Sequence, residues 1–395
     1  MANPRLLYDN RLNDGTPAAS TTATGFDVAN LIDWRTYTKW KPSALPATVD
    51  VDVAGSGLAW EFTNTLDGWT ASGATTTTNP TTVTLTSTGA DPRFTSPATT
   101  FNGSDYRYIV ARFKRTAGSG WQGAGFYVTP AHGESSSFFK DIADPTGGAP
   151  GGFVIGVWDM HDLTIGGDDW EDSIIKSIRL DLGDSASDEF EIDWIMVCKS
   201  PYADYWALWG HDMGSVNASI VDLIGSNDNF AATMTIDSVN AGSDRPIVRY
   251  FSKAGPYRYW RFNIGAGTAP TIGIAAIGEY LELPVGLTDG FDPIGREPMG
   301  PFNRSVEGQP LGRAVAYQKW KQSISAGLID WAWLRTNWLP AWEAHLRSTP
   351  FVFDWNPADA TYGNEPRLVA IESGFNGPHH PGQIADLQFT ISGAI

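Results

Sequence analysis

The sequence predicts a mainly β protein: one β-sandwich interrupted by a second, followed by a third, aromatic-rich β region that carries a single helical segment. Three observations lead there. Charged residues make up only 18% of 395, while glycine (42) and proline (25) are abundant and Thr, Val and Ile fall in runs, which suits loop-rich β-structure better than helices. Short stretches alternate apolar and polar with a period of two. Finally, residues 202–214 (YADYWALWGHDMG) read as a buried strand running into a Gly-His-Asp turn. The strand that should precede it lies far upstream, at 47–53 (ATVDVDV), with residues 54–198 between them. A chain this long is expected to build two or three cores rather than one.

Taken in order, residues 1–30 are irregular, with a turn signal at Asn13-Asp14-Gly15 and a Ser/Thr/Ala loop at 18–24. In the strand 48–53, Val49, Val51 and Val53 share one face and Asp50 and Asp52 the other. After the interruption come strands at 204–209, 219–224, 246–251, 257–264 and 274–283. The strands 47–53 and 204–209 are expected to be neighbours in one sandwich, with the intervening cassette inserted without disturbing its core. The cassette has strands of its own at 105–114, 122–128, 152–158, 174–182 and 189–197. In the last of these, Phe190, Ile192, Trp194 and Met196 alternate with Glu191 and Asp193. Both its ends enter one hairpin of the host, so they must lie close together. Beyond residue 283 follow a Gly/Pro linker, a strand at 313–323, and apolar residues at helical spacing (Leu328, Trp331, Leu334, Trp338, Trp342, Leu346). Pro340 is expected to kink or divide that helix. Strands at 350–355, 367–371 and 385–391 complete a small sheet. The expected domains are therefore 1–53 with 199–285, then 54–198 inserted, then 286–395.

The segments 30–40, 48–53, 204–213, 225–230 (GSNDNF) and 257–264 (YRYWRFNI), in that order once 54–198 is removed, resemble the discoidin (F5/8 type C) galactose-binding-like sandwich. The chain departs from that family in having no cysteines at the domain ends, so the disulfide-bonded version is not implied. The cassette opens with Phe62 and Leu66-Asp67-Gly68-Trp69 and closes with FEIDWI at 190–195, which resembles jelly-roll carbohydrate-binding modules. Residues 286–395 resemble the tail-tube-like segment of phage distal tail and baseplate proteins. The features are WEAHL at 342–346, PFVFDWNP at 350–357, LQFTIS at 387–392, and GEYLELP followed by FDPIGR within 278–296. The whole layout resembles a siphophage tail-tip protein. That resemblance implies a virion structural component made in the host cytoplasm. It would assemble as a homo-oligomeric ring (a hexamer, with a trimer as alternative) on tail-tube and baseplate-hub proteins, its sandwiches projecting outward towards host-surface glycans. The rival reading is a free-standing carbohydrate-binding protein or the accessory module of a glycan-degrading enzyme.

The formal charge of −17 argues against a nucleic-acid partner and against adsorption to anionic membranes. The cassette is the acidic part, with 8 Lys/Arg against 19 Asp/Glu over residues 53–198. No stretch approaches the roughly 18 apolar residues of a membrane span, and no basic-then-apolar leader opens the chain, so neither membrane insertion nor a signal peptide is expected. The one cysteine, Cys198, sits in the apolar strand IDWIMVCKS and is expected to be a buried, inert thiol. There is no HExxH, GxSxG, P-loop or GxGxxG, so no enzyme is expected.

Sugar binding has the better physical basis, because aromatic rings stack on pyranose faces while polar side chains bond the hydroxyls. Trp121, Trp158, His161 and Trp170 sit beside Gly-rich turns and are the candidate sugar contacts; their alternative role is to plug the sandwich. Asp168, Asp169, Glu171 and Asp172 are the candidate ligands for a structural Ca²⁺, without EF-hand spacing, and otherwise form a solvated acidic loop. No other cofactor is expected. Trp331, Trp333, Trp338 and Trp342 form the candidate assembly interface, since large aromatics are enriched at subunit contacts.

Overall fold

The strand Ala203–Trp209 is buried on both faces, and the cause is a three-layer stack of sheets. The computed structural model describes residues 3–89, 91–218, 220–288, 291–358 and 366–394; the first residue of the strand expected at 219–224 lies outside them. The protein is mainly β, 44% strand and 7% helical.

The outer layer is a five-stranded sheet in the order Met234–Asn240, Ile220–Ser226, Tyr259–Ile264, Ala47–Asp52, Ala18–Ala19. The middle layer has three strands, Ile247–Ala254, Ala203–Trp209 and Ile274–Gly278. Trp206 and Leu208 point into the core between these layers, against Val49, Val51, Trp260 and Phe262. Thus 47–52 and 203–209 are not neighbours as expected. They face each other across the core, because Ala47–Asp52 takes Tyr259–Ile264 as its partner, with Phe262 opposite Val49. The other face of Ala203–Trp209 carries Tyr205, Ala207 and Trp209, which pack with Leu7, Trp34 and Val352. A strand covered on both sides has no polar side to write into its sequence, hence the nearly continuous apolar run.

The third layer is an eight-stranded sheet of mostly C-terminal strands, ordered Leu281–Glu282, Arg5–Leu7, Phe351–Asp354, Arg367–Ile371, Ile384–Ala394, Tyr317–Asp330, Glu297–Met299, with His379–His380 beside Ile384–Ala394. The expected domain limits change here. Arg5–Leu7 and Leu281–Glu282, assigned from the sequence to the sandwich, pair with each other, and Arg5–Leu7 also pairs with Phe351–Asp354. Residues 331–346 form one helix that covers the opposite face of this sheet, burying Leu334, Trp338, Ala341 and Leu346. Asp330 caps it by accepting a hydrogen bond from Ala332 N (2.6 Å). Pro340 does not divide it, since π-helical stretches at Leu334–Trp338 and Trp342–Leu346 flank the proline. Leu328 lies before the helix, at a strand irregularity between Ala326 and Ile329, with φ 61° and its side chain in solvent.

The cassette is a second sandwich. Its larger sheet runs Val154–Asp159, Tyr108–Ala117, Glu189–Cys198, Val83–Ser87, Ala74–Thr78, with Ala54–Trp60 also on Glu189–Cys198; its smaller sheet runs Phe139–Asp141, Ala124–Val128, Ser177–Asp181, Arg93–Thr95, Thr70–Ser72. The expected alternation in 190–196 breaks at one point. Trp194 pairs with Arg112 but Ile192 pairs with the next residue, Phe113, leaving Asp193 as a bulge. The extra residue flips the parity. Phe190 and Ile192 point into the cassette core, and after the bulge Ile195 and Val197 do so, while Trp194, Met196 and Cys198 turn to the host core. Tyr108 and Val110 join them there. The cassette therefore shares a core with its host rather than projecting from it. Burial pushes the Cys198 thiol well up, consistent with an inert side chain.

Candidate binding cleft

Where the two sandwiches and the helix meet, a cleft of about 590 Å³ opens. One wall is the segment after the first strand, where a short 3-10 turn, Arg11–Asn13, is fixed by Asn10. The Asn10 side chain donates to Ala275 O (3.0 Å) and accepts from Leu12 N and Ile277 N (both 3.2 Å), tying this wall to the middle sheet. The second wall is the cassette turn Gly103–Asp105 followed by Arg107 and Tyr108. Gly103 is required there: a Cβ would stand 1.8 Å from Trp170 O. The third wall is the outer side of the helix, with Thr336, Asn337 and His345.

The floor is an ion network. The buried Arg11 guanidinium donates through Nε to Tyr202 O (3.1 Å), through Nη1 to Asp9 and Asp14 (2.8 and 3.2 Å), and through Nη2 to Glu279 (3.1 Å). Lys199 Nζ lies 3.2 Å from Asp14 and Lys253 Nζ 2.5 Å from Glu279, so three cations match three carboxylates. Burial pushes the Asp9 carboxyl up to about 6 against the pull of Arg11. Burial also acts on Glu279, but Arg11, Lys253 and Ser200 outweigh it and hold the group below the usual carboxylate range. Both acids are committed to one arginine. They are not the two independent carboxylates, held apart across a substrate, that glycoside hydrolysis uses. Arg107 is spoken for as well, gripping Asp159 with two bonds of 2.9 and 2.7 Å.

Of the candidate sugar, metal and interface residues, His161 alone lines this cleft. Its Nε2 donates to Gly103 O (3.1 Å) and its Nδ1 lies 3.4 Å from Glu171. Trp158 and Trp170 are fully buried and are thereby corrected from surface contacts to core. Their indole N–H groups donate to Gly123 O and Tyr106 O (both 2.8 Å), so backbone carbonyls of the adjoining turns draw the rings inward. Trp121 is half-buried, stacked on Phe113 (5.8 Å, 17°) and bonded to Ile142 O (3.0 Å). The four do not form one platform.

The acidic loop does not converge on a cation either: among the described residues no three His, Cys, Asp or Glu are arranged to hold one. Asp169 instead accepts from Tyr127 OH (2.8 Å) and His132 Nε2 (2.9 Å), Glu171 faces His161, and Asp168 and Asp172 are exposed. In the tryptophan cluster, Trp338 is core, stacked on Trp342 (6.5 Å, 23°) and packed on Phe389. Trp331, Trp333 and Trp342 keep part of their surface in solvent.

The sequence held no signal for the cleft beyond His161, because its walls come from stretches scattered between Tyr8 and His345. Among the described residues no helix is long and apolar enough to cross a membrane. No protein-family model matches the chain, and no curated protein matches it. Among solved structures, the glycoside hydrolase domain of Endo-D from Streptococcus pneumoniae R6 is similar at a TM-score of 0.23 and 9% identity, over 52% of this chain and 37% of that one. The chain thus spans little more than a third of that domain's length, and a likeness so slight carries no inference about activity.

Proposed function

We propose that this chain is a structural component of a siphophage tail tip, a distal tail or baseplate protein that assembles head-to-tail with copies of itself into a ring. The sandwich domains then offer contacts to host-surface glycans. The observation that supports this best is an arm at the edge of the eight-stranded sheet. The hairpin Phe302–Arg304 with Pro310–Arg313 follows the edge strand Glu297–Met299, and it leaves Phe302, Val306 and Leu311 47%, 101% and 66% exposed. Stretches of that kind on a subunit surface favour burial against a partner. The arm carries two arginines (Arg304, Arg313) and two glutamates (Glu297, Glu307), so it can approach a second copy of this acidic chain without net repulsion.

A second apolar patch, Leu328, Trp331 and Leu339, lies at the far end of the 14-residue strand Tyr317–Asp330. The strand's length puts the two patches about 40 Å apart. Two dissimilar patches that far apart favour a heterologous contact, the kind that builds a ring when its rotation closes, over a two-fold dimer. This retains Trp331 from the expected interface and removes Trp338.

Native mass spectrometry and light scattering on the full chain test the reading. A single closed oligomer is expected. The pair Val306→Asp and Leu311→Asp should convert it to monomer with an unchanged circular dichroism spectrum, as both side chains lie in solvent within one subunit. A stable monomer at high concentration, alone and with tail-tube and hub proteins, would sink the proposal.

A further inference from the structure

We propose that the three-walled cleft is a binding site for an uncharged saccharide. The cations around it are already matched within the protein. Arg11 uses its donors on Tyr202 O, Asp9, Asp14 and Glu279, Lys199 and Lys253 neutralise the remaining negative charge, and Arg107 is held by Asp159. An anionic ligand would have to compete with these carboxylates, and at Arg11, which is buried, displacing one would leave a buried charge unmatched.

Four of the uncharged polar groups are in the opposite state. Among the described residues the hydroxyls of Tyr8, Ser104 and Tyr108 and the amide of Asn13 have no hydrogen-bond partner within the protein, and all four line the cleft. Uncommitted hydroxyl and amide groups beside tyrosine rings suit a ligand that is itself rich in hydroxyls and has apolar ring faces. The volume, about 590 Å³, falls within the roughly 300–1,000 Å³ typical of small-molecule sites.

The assignment locates the glycan contact of the proposed function and rests on that part of it. It moves recognition away from the surface of the cassette to the seam between cassette, host sandwich and helix. A saccharide there touches all three at once.

The test is saturation-transfer NMR on the full-length protein with neutral probes (glucose, galactose, N-acetylglucosamine and their β-linked disaccharides) and with glucuronic acid and sialic acid as charged controls. Neutral sugars should give signal and the acids should not. The double variant Tyr8→Phe/Tyr108→Phe keeps both rings and removes only the hydroxyls, and should weaken binding about tenfold; Trp121→Ala should leave it unchanged. No binding of any neutral probe by the folded chain overturns the assignment. So does preference for the acids, or binding indifferent to the double variant. Oligomerisation, read on the same samples, reports separately on ring assembly: a ring that binds no sugar refutes the cleft alone, and a monomer that binds sugar refutes the ring alone.

Discussion

Asp204 stands at the start of the doubly buried strand, and replacing it by Asn should make the protein more stable at neutral and alkaline pH. Its carboxylate accepts one hydrogen bond, from Tyr280 N at 2.9 Å. Burial pushes its pKa from 3.8 up to about 7, the nearby Glu279 adding to the shift and Lys253 opposing it. The native state therefore holds a proton that the unfolded chain has already released. Asp204 imposes no penalty below about pH 4, and the penalty grows as pH rises towards the folded value. Three pKa units at about 1.4 kcal/mol each set a ceiling of roughly 4 kcal/mol. Partial exposure reduces the expected figure to about 2 kcal/mol. Asn keeps the acceptor oxygen and cannot ionise. Urea unfolding followed by tryptophan fluorescence should show Asp204→Asn stabilised by about 2 kcal/mol near pH 8 and close to wild type at about pH 3.5, with the denaturant slope unchanged. Equal effects at the two pH values, or a loss near pH 8, would refute the reasoning.

Two further substitutions probe the packing. Trp158→Ala and Trp170→Ala should each cost about 3–5 kcal/mol in the same unfolding assay, whereas half-buried Trp121→Ala should cost clearly less; parity among the three would contradict the assignment of the first two to the core. Arg258, almost wholly buried, joins Asp52 of the host (3.0 and 2.7 Å) to Glu61 of the cassette (2.6 Å). Because Glu61 is well exposed and can be rehydrated, Arg258→Met should cost only about 1–2 kcal/mol. Its effect should appear as faster amide exchange at Val53, whose N–H is bonded to Arg258 O, with exchange in the cassette core unchanged.

Period-two patterning is a reliable guide where a strand has one wet face. Val49, Val51 and Val53 point inward as their spacing says. It fails beyond Asp193, since 194–198 (WIMVC) is apolar throughout and compatible with either parity, and only the pairing shows that Asp193 is bulged. The apolar run 203–209 announced burial but not what covers the second face, because the covering residues, Leu7 and Val352, are remote in sequence. Arg5–Leu7 is too short to carry a pattern at all. Of the two roles open to Trp158 and Trp170, core filling prevails for a physical reason: a Gly-rich turn exposes backbone carbonyls as readily as side chains, and those carbonyls hold both indoles inside. The cleft could not be read because each of its residues looks ordinary until the three walls meet.

Pairing of Arg5–Leu7 with Phe351–Asp354 also sets an order of events during synthesis. Some 350 residues must be polymerised before that first strand finds its longest-range neighbour, a wait of tens of seconds at about 5–20 residues per second. Both sandwiches, whose strands end at Gly278, emerge from the ribosome earlier. Docking of the last sheet then buries Tyr205, Ala207 and Trp209, which until that moment form an open apolar surface on the nascent chain. That surface is what a chaperone would find to hold until the C-terminal strands cover it.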